Sequence, residues 1–124
     1  MYKVLVCDDE KDIVSAISIY LTSDGYEVIP ARNGLEALDI VKHNDVHLVL
    51  MDIMMPVMDG LMAAEKIRSL CRADAKSVPI IAMTANAFEE DIQKTLAAGM
   101  NEHLSKPINK KLLISTLLKY KTND

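Results

Sequence analysis

Apolar and polar positions along the chain alternate between two spacings, one typical of buried strands and the other typical of amphipathic helices. Short apolar runs predict strands, and stretches with apolar residues three and four positions apart predict a helix after each strand. The predicted strands are Lys3–Cys7, Tyr26–Pro30, Val46–Met51, Val78–Met83 and Glu102–Ser105. The pattern therefore repeats a strand–helix unit five times.

Residues with the chemistry of helix starts and stops separate these segments. A side chain that accepts from a free backbone N–H marks a helix start, and glycine marks a helix end. The predicted starts are Asn33 and Asn86, each followed three residues later by a glutamate as in a capping box, and Asp59, and the predicted stops are Gly25 and Gly99. The last helix comes after Pro107.

This order of elements predicts an α/β fold with a doubly wound parallel sheet and helices on both faces. Alternating units of this length favour parallel strands, and right-handed crossovers leave few topologies. The first, third and fourth strands are continuous apolar runs, as expected for strands that are buried on both faces. The length of 124 residues predicts one domain, residues 1–124.

Composition excludes several classes of partner. Net charge is −4 and aromatic residues make up 4%, so we expect no nucleic acid to bind this domain itself. No apolar run approaches the roughly 18 residues of a membrane span, and the N-terminus is not a signal peptide, so we expect no membrane contact. The two cysteines have no metal-ligand spacing and form no disulfide framework, which predicts a cytoplasmic location.

The polar residues at the ends of the strands carry the candidate chemistry. Asp8 and Asp9 come after the first strand, Asp52 after the third, Thr84 after the fourth and Lys106 after the fifth. In open parallel sheets, sites form outside the carboxyl ends of the strands at the switch point in strand order. With the order 2-1-3-4-5, the first and third strands are neighbours there, so the three aspartates would meet.

Three adjacent carboxylates repel one another, and a hard cation bound by oxygen would relieve the repulsion. Mg²⁺ is the best match, since it takes carboxylates, waters and phosphate oxygens. With a lysine and a hydroxyl nearby, the set suits phosphoryl transfer, and Asp52 is the best-placed nucleophile. Each part also has a plainer interpretation: Asp8 and Asp9 as helix caps, Asp52 as a turn residue, and Lys106 as a solvated lysine.

Four motifs occur in chain order, each at the end of a predicted strand. They are VCDDE at 6–10, MDIMMPVMDG at 51–60, MTA at 83–85 and KP at 106–107. Together they resemble the receiver domains of bacterial response regulators, over essentially the whole chain. TANAFEEDIQ and GMNEHLSKPI further resemble receivers attached to hybrid sensor kinases. The resemblance implies a flavodoxin-like fold with strand order 2-1-3-4-5.

The resemblance also implies a role for each residue of the site. Asp52 would be the phosphoacceptor, and Mg²⁺ would be bound by Asp9, Asp52 and the Met54 backbone carbonyl, with Asp8 assisting. Thr84 would bond the phosphoryl group and Lys106 would pair with it or with the acids. The Lys106–Pro107 bond is expected to be cis.

His103 departs from the receiver pattern, which usually has Tyr or Phe three residues before the lysine. On an extended strand, His103 and Lys106 point to opposite faces, so we expect His103 to face the outer helices. Imidazole gains less from burial than a phenol ring, and it carries charge at mildly acidic pH. The coupling of phosphorylation to side-chain position is therefore expected to be looser than with Tyr.

The expected function is a phosphoacceptor switch of a two-component phosphorelay. A sensor histidine kinase or phosphotransfer protein would phosphorylate Asp52 and change the face formed by the fourth helix, the fifth strand and the last helix. The chain would catalyse only its own phosphorylation and dephosphorylation. An output domain, or a fused kinase, would lie outside this chain.

Three other functions compete with this one. A binding module that works without phosphorylation would not need the intact acidic set, Thr84 and Lys106. An aspartyl phosphatase would need an acid/base Asp where Met54 stands. A flavin carrier would need a hydroxyl-rich first loop and aromatic residues that the chain lacks.

Charge on the helices suggests a phosphorylation-linked homodimer as well. Acidic residues open the fourth helix and basic residues lie on the last one, where a two-fold axis could bring them together. They are Glu89, Glu90 and Asp91, and Lys110, Lys111 and Lys119. The acidic turn also suits the helix dipole, which is the plainer explanation.

Overall fold

The computed structural model describes residues 2–55, 57–70, 73–85 and 89–121. These residues form five strands and six helices that alternate along the chain, with two helices between the third and fourth strands. The strands are β1 (Lys3–Cys7), β2 (Glu27–Ala31), β3 (Leu48–Asp52), β4 (Ile80–Thr84) and β5 (Glu102–Ser105). The helices are α1 (Lys11–Ser23), α2 (Gly34–His43), α3 (Gly60–Arg68), α4 (Ala73–Ser77), α5 (Glu89–Ala97) and α6 (Lys110–Lys121).

The strands form one parallel sheet in the order β2-β1-β3-β4-β5, which confirms the predicted fold class and topology. The chain reverses its direction of travel across the sheet after β2, so β1 and β3 are hydrogen-bonded neighbours. Their last paired residues are Cys7 and Met51, so the loop after β1 lies beside the last residue of β3.

A separate apolar core lies on each face of the sheet. Alternate residues of the strands point to opposite faces, so each buried strand contributes to both cores. On one face, Ile17 and Leu21 of α1 and Leu113 and Leu117 of α6 pack together. The other face is covered by α2, α3, α4 and the segment that ends α5. Among the helices of the described residues, none has the length and apolar character needed to cross a bilayer.

Three strands differ in their bounds from the sequence prediction. β3 and β4 each begin two residues later and end one residue later than predicted, and β2 is displaced by one residue. Val46 and Val78 are apolar because they pack against the core from the loops that precede β3 and β4, without pairing in the sheet. As a consequence, Asp52 and Thr84 are the last residues of their strands rather than the first residues after them.

The sequence pattern did not predict α4. It has five residues, ADAKS, and they lack a repeated apolar position. Arg68, at the end of α3, stabilises this segment by donating to the carbonyl oxygens of Ala75 at 3.1 Å and Val78 at 2.7 Å. Cys71 lies outside the described residues.

The predicted caps are confirmed where the structure describes them. Asn33 Oδ1 accepts from the Glu36 backbone N–H at 2.9 Å, and Asp59 Oδ1 accepts from Met62 at 2.8 Å. The Glu36 carboxylate accepts from the N–H of Arg32 rather than from that of Asn33, so the capping box is displaced by one residue. Gly25 and Gly99 end α1 and α5 with positive φ, as predicted, and Asn86 lies outside the described residues.

Candidate functional site

Three aspartates meet at the carboxyl edge of the sheet. Asp8 comes directly after β1, Asp52 ends β3, and one oxygen from each of Asp8, Asp9 and Asp52 lies within 4.8 Å of the others. Asp8 and Asp52 are buried, whereas Asp9 is exposed. The strand order therefore brings together the acidic residues that were predicted from the sequence.

Lys106 reaches this acidic group from the end of β5. Its Nζ lies 2.9 Å from Asp8 Oδ2 and 3.4 Å from Asp52 Oδ1. The contact with Asp8 is an ion pair in which the carboxylate is fully buried and the lysine side chain is largely buried. The Lys106 backbone N–H donates to the Thr84 carbonyl at 2.8 Å, and the Lys106–Pro107 peptide is cis, as expected.

Backbone hydrogen bonds hold Asp8 in place. Its N–H donates to the Ala31 carbonyl of β2 at 3.1 Å, and its Oδ1 accepts from the Glu10 N–H at 2.9 Å. Both carboxylate oxygens are therefore engaged, one by Glu10 and one by Lys106. Asp8 thus begins the loop before α1 and is tied across the sheet as well.

The electrostatics of the site oppose the ionised form of Asp52. Burial and the charge of Asp8 raise the pKa of Asp52 from its ordinary value of 3.8 to about 6, although Lys106 and a Met54 backbone hydrogen bond act in the opposite direction. Burial alone would lower the pKa of Lys106, but its contacts with Asp8 and Asp52 outweigh burial and raise it. The single positive charge of Lys106 therefore does not balance the negative charge of the carboxylates around it.

Thr84 is buried beside this group, at the end of β4. Its Oγ1 is inaccessible and has no hydrogen-bond partner among the described residues. A buried hydroxyl usually finds a partner, because an unsatisfied one costs about 1–3 kcal/mol. The site thus presents an unused donor next to excess negative charge.

The loop between β3 and α3 folds back tightly onto Asp52. The Gly60 N–H donates to the Ile53 carbonyl at 2.9 Å, and a Cβ at position 60 would collide with the Asp52 carbonyl oxygen. Glycine is therefore required where α3 begins. Met54 lies in this loop with 81% of its surface exposed.

A cavity of about 350 Å³ opens beside Asp52. Thr84 and Lys106 line it, together with Met54 and Leu61 on the α3 side and Glu10 on the rim. Lys94 of α5 lines it as well, and this residue was not predicted from the sequence. A polar position on an amphipathic helix carries no local signal that separates it from ordinary surface lysines.

His103 lies away from the acidic group. It pairs with Ala82 of β4, which belongs to the core on the α2–α5 face, whereas its neighbour Leu104 belongs to the α1–α6 core. The imidazole is half-buried on the face that α5 covers. This agrees with the expected orientation toward the outer helices.

The donor set fits a hard divalent cation. The ligands available in the acidic group are carboxylate oxygens, which Mg²⁺ prefers, and no nitrogen or sulfur ligand joins them in the described residues. A divalent charge would also favour the ionised form of Asp52, whose pKa burial and the charge of Asp8 raise. Phosphate oxygens commonly complete the coordination of Mg²⁺ in such sites.

Comparison with known proteins places the chain among signalling proteins. Residues 4–118 match the family described as response regulator receiver domain. The chemotaxis protein CheY4 of Vibrio cholerae has a similar structure, with a TM-score of 0.90, 33% identity, and 97% of this chain and 98% of that one covered. The receiver domain of sensor histidine kinase PA1611 from Pseudomonas aeruginosa is 34% identical, with a TM-score of 0.88 and 96% of each chain covered. That structure holds a magnesium ion coordinated in the active-site cleft.

Among curated proteins, the sensor histidine kinase RcsC of Escherichia coli K12 is 36% identical over 117 residues, which is 94% of this chain and 12% of RcsC. The chain spans 14%, 7% and 13% of three other histidine kinases and sensor proteins that it matches at 33–37% identity. It corresponds to one segment of these longer proteins.

Proposed function

The chain belongs to the family of response regulator receiver domains, which are phosphoacceptor modules of two-component signalling, and we propose that Asp52 is the residue that accepts the phosphoryl group. The observation that supports this assignment is the position of Asp52, which lines the cavity within 4.8 Å of the Asp8 and Asp9 oxygens and 3.4 Å from Lys106 Nζ. A bound metal ion would offset the repulsion among these carboxylates, and the ion together with Lys106 would balance the further negative charge that a phosphoryl group adds.

Mg²⁺ would be held by Asp9, Asp52 and the Met54 carbonyl, with Asp8 assisting. When bound, the ion would neutralise charge on the transferring phosphoryl oxygens. Asp9 is the exposed member of the acidic group and is open to a hydrated ion. Asp8 is already engaged by Lys106 and Glu10, which suits an indirect role.

In the transfer step, an Asp52 carboxylate oxygen attacks the phosphorus of a phosphohistidine. The new O–P bond forms as the P–N bond breaks, and the electron pair stays on the imidazole nitrogen. Lys106 lies next to the attacking oxygen and offsets charge on the phosphoryl group, while the Thr84 hydroxyl donates to one of its oxygens. With acetyl phosphate as donor, the bond to the acetate oxygen breaks instead.

Dephosphorylation occurs when water attacks the same phosphorus. The O–P bond to Asp52 breaks, inorganic phosphate leaves and the carboxylate is restored. We propose that the chain catalyses these two reactions on itself and has no separate substrate. Residues 1–124 would act as one domain in this exchange.

The partner that donates the phosphoryl group would be a sensor histidine kinase or a phosphotransfer protein. The face that responds would be α5, β5 and α6, because β4 links Asp52 to this side of the sheet. An ion pair of 3.2 Å between Glu102 and Lys119 holds β5 and α6 together. An output domain or a fused kinase would receive the signal.

A phosphorylation-linked dimer through this face stays a prediction. The acidic side chains at positions 89–91 lie outside the described part of the structure. Lys119, one of the basic residues invoked, contacts Glu102 of its own chain, which weakens its case as a residue that meets a second copy.

Phosphorylation with acetyl phosphate and Mg²⁺ tests the assignment of Asp52. Wild type should form a base-labile acyl phosphate, and Asp52→Asn should form none, because an amide is a poor nucleophile. Asp39→Asn is a matched control, since Asp39 is exposed on α2 and does not line the cavity. Labelling of Asp52→Asn at the wild-type level would overturn the proposal.

A further inference from the structure

Lys94 is a cation on the wall of the phosphoacceptor cavity that the transfer chemistry leaves unused. It lies within α5, where its carbonyl accepts from the Ala98 N–H at 3.0 Å, so its backbone has a fixed place in the helix. Its side chain lines the same cavity as Asp52 and Thr84. Lys94 therefore reaches this opening from a helix, whereas Lys106 reaches it from the end of β5.

Phosphorylation of Asp52 would change the balance of charge in the cavity that Lys94 lines. Lys106 is already held between Asp8 and Asp52. A phosphoryl group on Asp52 replaces one negative charge with nearly two, so it adds negative charge even where Mg²⁺ balances the carboxylates. Glu10 on the rim is negative too and opposes that change.

The Lys94 ammonium is available to form an ion pair with the added negative charge. The described side chains include no ion-pair partner for it, and the residue is exposed. A lysine has a flexible four-carbon stem and three donors, so it can follow a phosphoryl oxygen without a fixed bond geometry. Attraction between the two would act on α5 directly.

We propose that Lys94 is a positioning residue that pairs with the phosphoryl group on Asp52 and draws α5 toward the cavity. This inference rests on the proposed function and names a regulatory residue for the same site. It gives α5 a direct electrostatic link to phosphorylation, separate from the hydroxyl of Thr84. In the unphosphorylated protein, Lys94 is exposed at the cavity wall.

Titration with beryllofluoride and Mg²⁺, followed by amide NMR, tests this role. Lys94→Gln should bind the phosphoryl mimic about twofold to fivefold more weakly than wild type, the range of an exposed ion pair. The mimic-induced shifts of α5 amides such as Leu96 should shrink, while those of β4 persist. Lys94→Arg should retain both properties, and the difference between Lys94→Gln and wild type should diminish at high salt.

Lys66→Gln is the matched control, because it removes the same charge from an exposed helical position that does not line the cavity. If Lys94→Gln and Lys66→Gln give equal affinities and equal α5 shifts, Lys94 is an ordinary surface lysine. Failure of the proposed function would look different, since Asp52→Asn would then respond to beryllofluoride as wild type does. If Asp52→Asn loses the wild-type response to beryllofluoride and Lys94→Gln binds the mimic more weakly, the results support both the assignment of Asp52 and the role of Lys94.

Discussion

The side chains at the carboxyl ends of the strands and those at the amino ends differ in how well their charges and polar groups are paired. At the carboxyl edge, Asp8 and Asp52 are buried side by side with one lysine between them, and the Thr84 hydroxyl has no partner among the described residues. At the amino edge, Tyr2, Tyr26, His47 and Lys121 form a group that we call the aromatic cluster. There, the rings of Tyr2 and Tyr26 meet edge to face at 5.6 Å, and Tyr2 stacks on His47 at 5.0 Å.

The Lys121 ammonium and the His47 ring of the aromatic cluster contact other groups of the chain. Lys121 Nζ lies over the rings of Tyr2 and Tyr26, at 5.4 Å and 5.0 Å from their centroids. The Lys3 N–H donates to His47 Nδ1 at 2.9 Å, and the His47 N–H donates to the Lys3 carbonyl at 2.9 Å. Through Lys121, the end of α6 contacts the residues that precede β1 and β2.

The difference shows where stability and function lie in this fold. An edge whose rings, cation and backbone groups contact one another stabilises the protein without a ligand. An edge with crowded negative charges and an unused donor costs stability until a cation offsets the charge and a phosphoryl oxygen accepts from the donor. Functional sites are often destabilising in this way, because their groups are placed for the ligand.

Truncation of the aromatic cluster should have the largest effect on stability. Tyr26 is 5% exposed, and Tyr26→Ala would leave a cavity and remove both ring contacts. We expect a loss of about 3 kcal/mol in the free energy of unfolding, measured by urea denaturation. Mg²⁺ affinity, measured on the folded protein, should stay at the wild-type value, and a parallel loss would show that the two edges are coupled.

At the carboxyl edge, we expect a substitution to increase the free energy of unfolding. Asp52→Asn should increase the stability of the metal-free protein at pH 7 by about 1–3 kcal/mol, because it removes a carboxylate whose pKa is raised. Urea denaturation with a chelator present measures this. Added Mg²⁺ should stabilise wild type more than Asp52→Asn, since the ion binds the folded carboxylates.

The difference in stability between Asp52→Asn and wild type should increase with pH. Because the folded-state pKa of Asp52, about 6, is above its ordinary 3.8, the carboxyl favours folding below pH 4 and loses this contribution as pH rises through 6. The advantage of Asp52→Asn over wild type should therefore grow between pH 4 and pH 6 and level off above pH 7. An advantage that is constant over this range would contradict the burial and repulsion assigned to Asp52.

The smallest effect concerns the hydrogen bond to His47. His47→Leu keeps a side chain of similar bulk but removes the acceptor for the Lys3 N–H, which should cost about 1 kcal/mol. His43→Leu is the control, because His43 is exposed near the end of α2 and lies outside the aromatic cluster. Because His43 contacts the Asp39 carbonyl at 2.9 Å, equal thermal stability of the two variants would mean that the Lys3–His47 bond contributes no more than that exposed contact.

Much of the fold can be predicted from local pattern. The five apolar runs and the spacing of apolar residues between them predict every strand, every long helix and, with the crossover rule, the parallel sheet. The motifs at the strand ends predict the acidic group and Lys106, because the end of a parallel strand has a fixed place once strand order is known. Local turn chemistry is equally readable, as Asp59 and Gly25 illustrate.

The sequence by itself thus determined the alternation of strands and helices and the polar residues at the strand ends, since these depend on periodicity and on residues adjacent in the chain. The strand order, which brings the acids together, was implied by the resemblance of the four motifs to receiver domains. Tertiary structure decided which strand residues pair, so that Asp52 and Thr84 lie inside β3 and β4. It also decided that Lys106 lies nearer Asp8 than Asp52, and that Lys94 reaches the same cavity. These contacts join residues far apart in the chain, and their distances depend on how helices pack on the sheet, which no local pattern records.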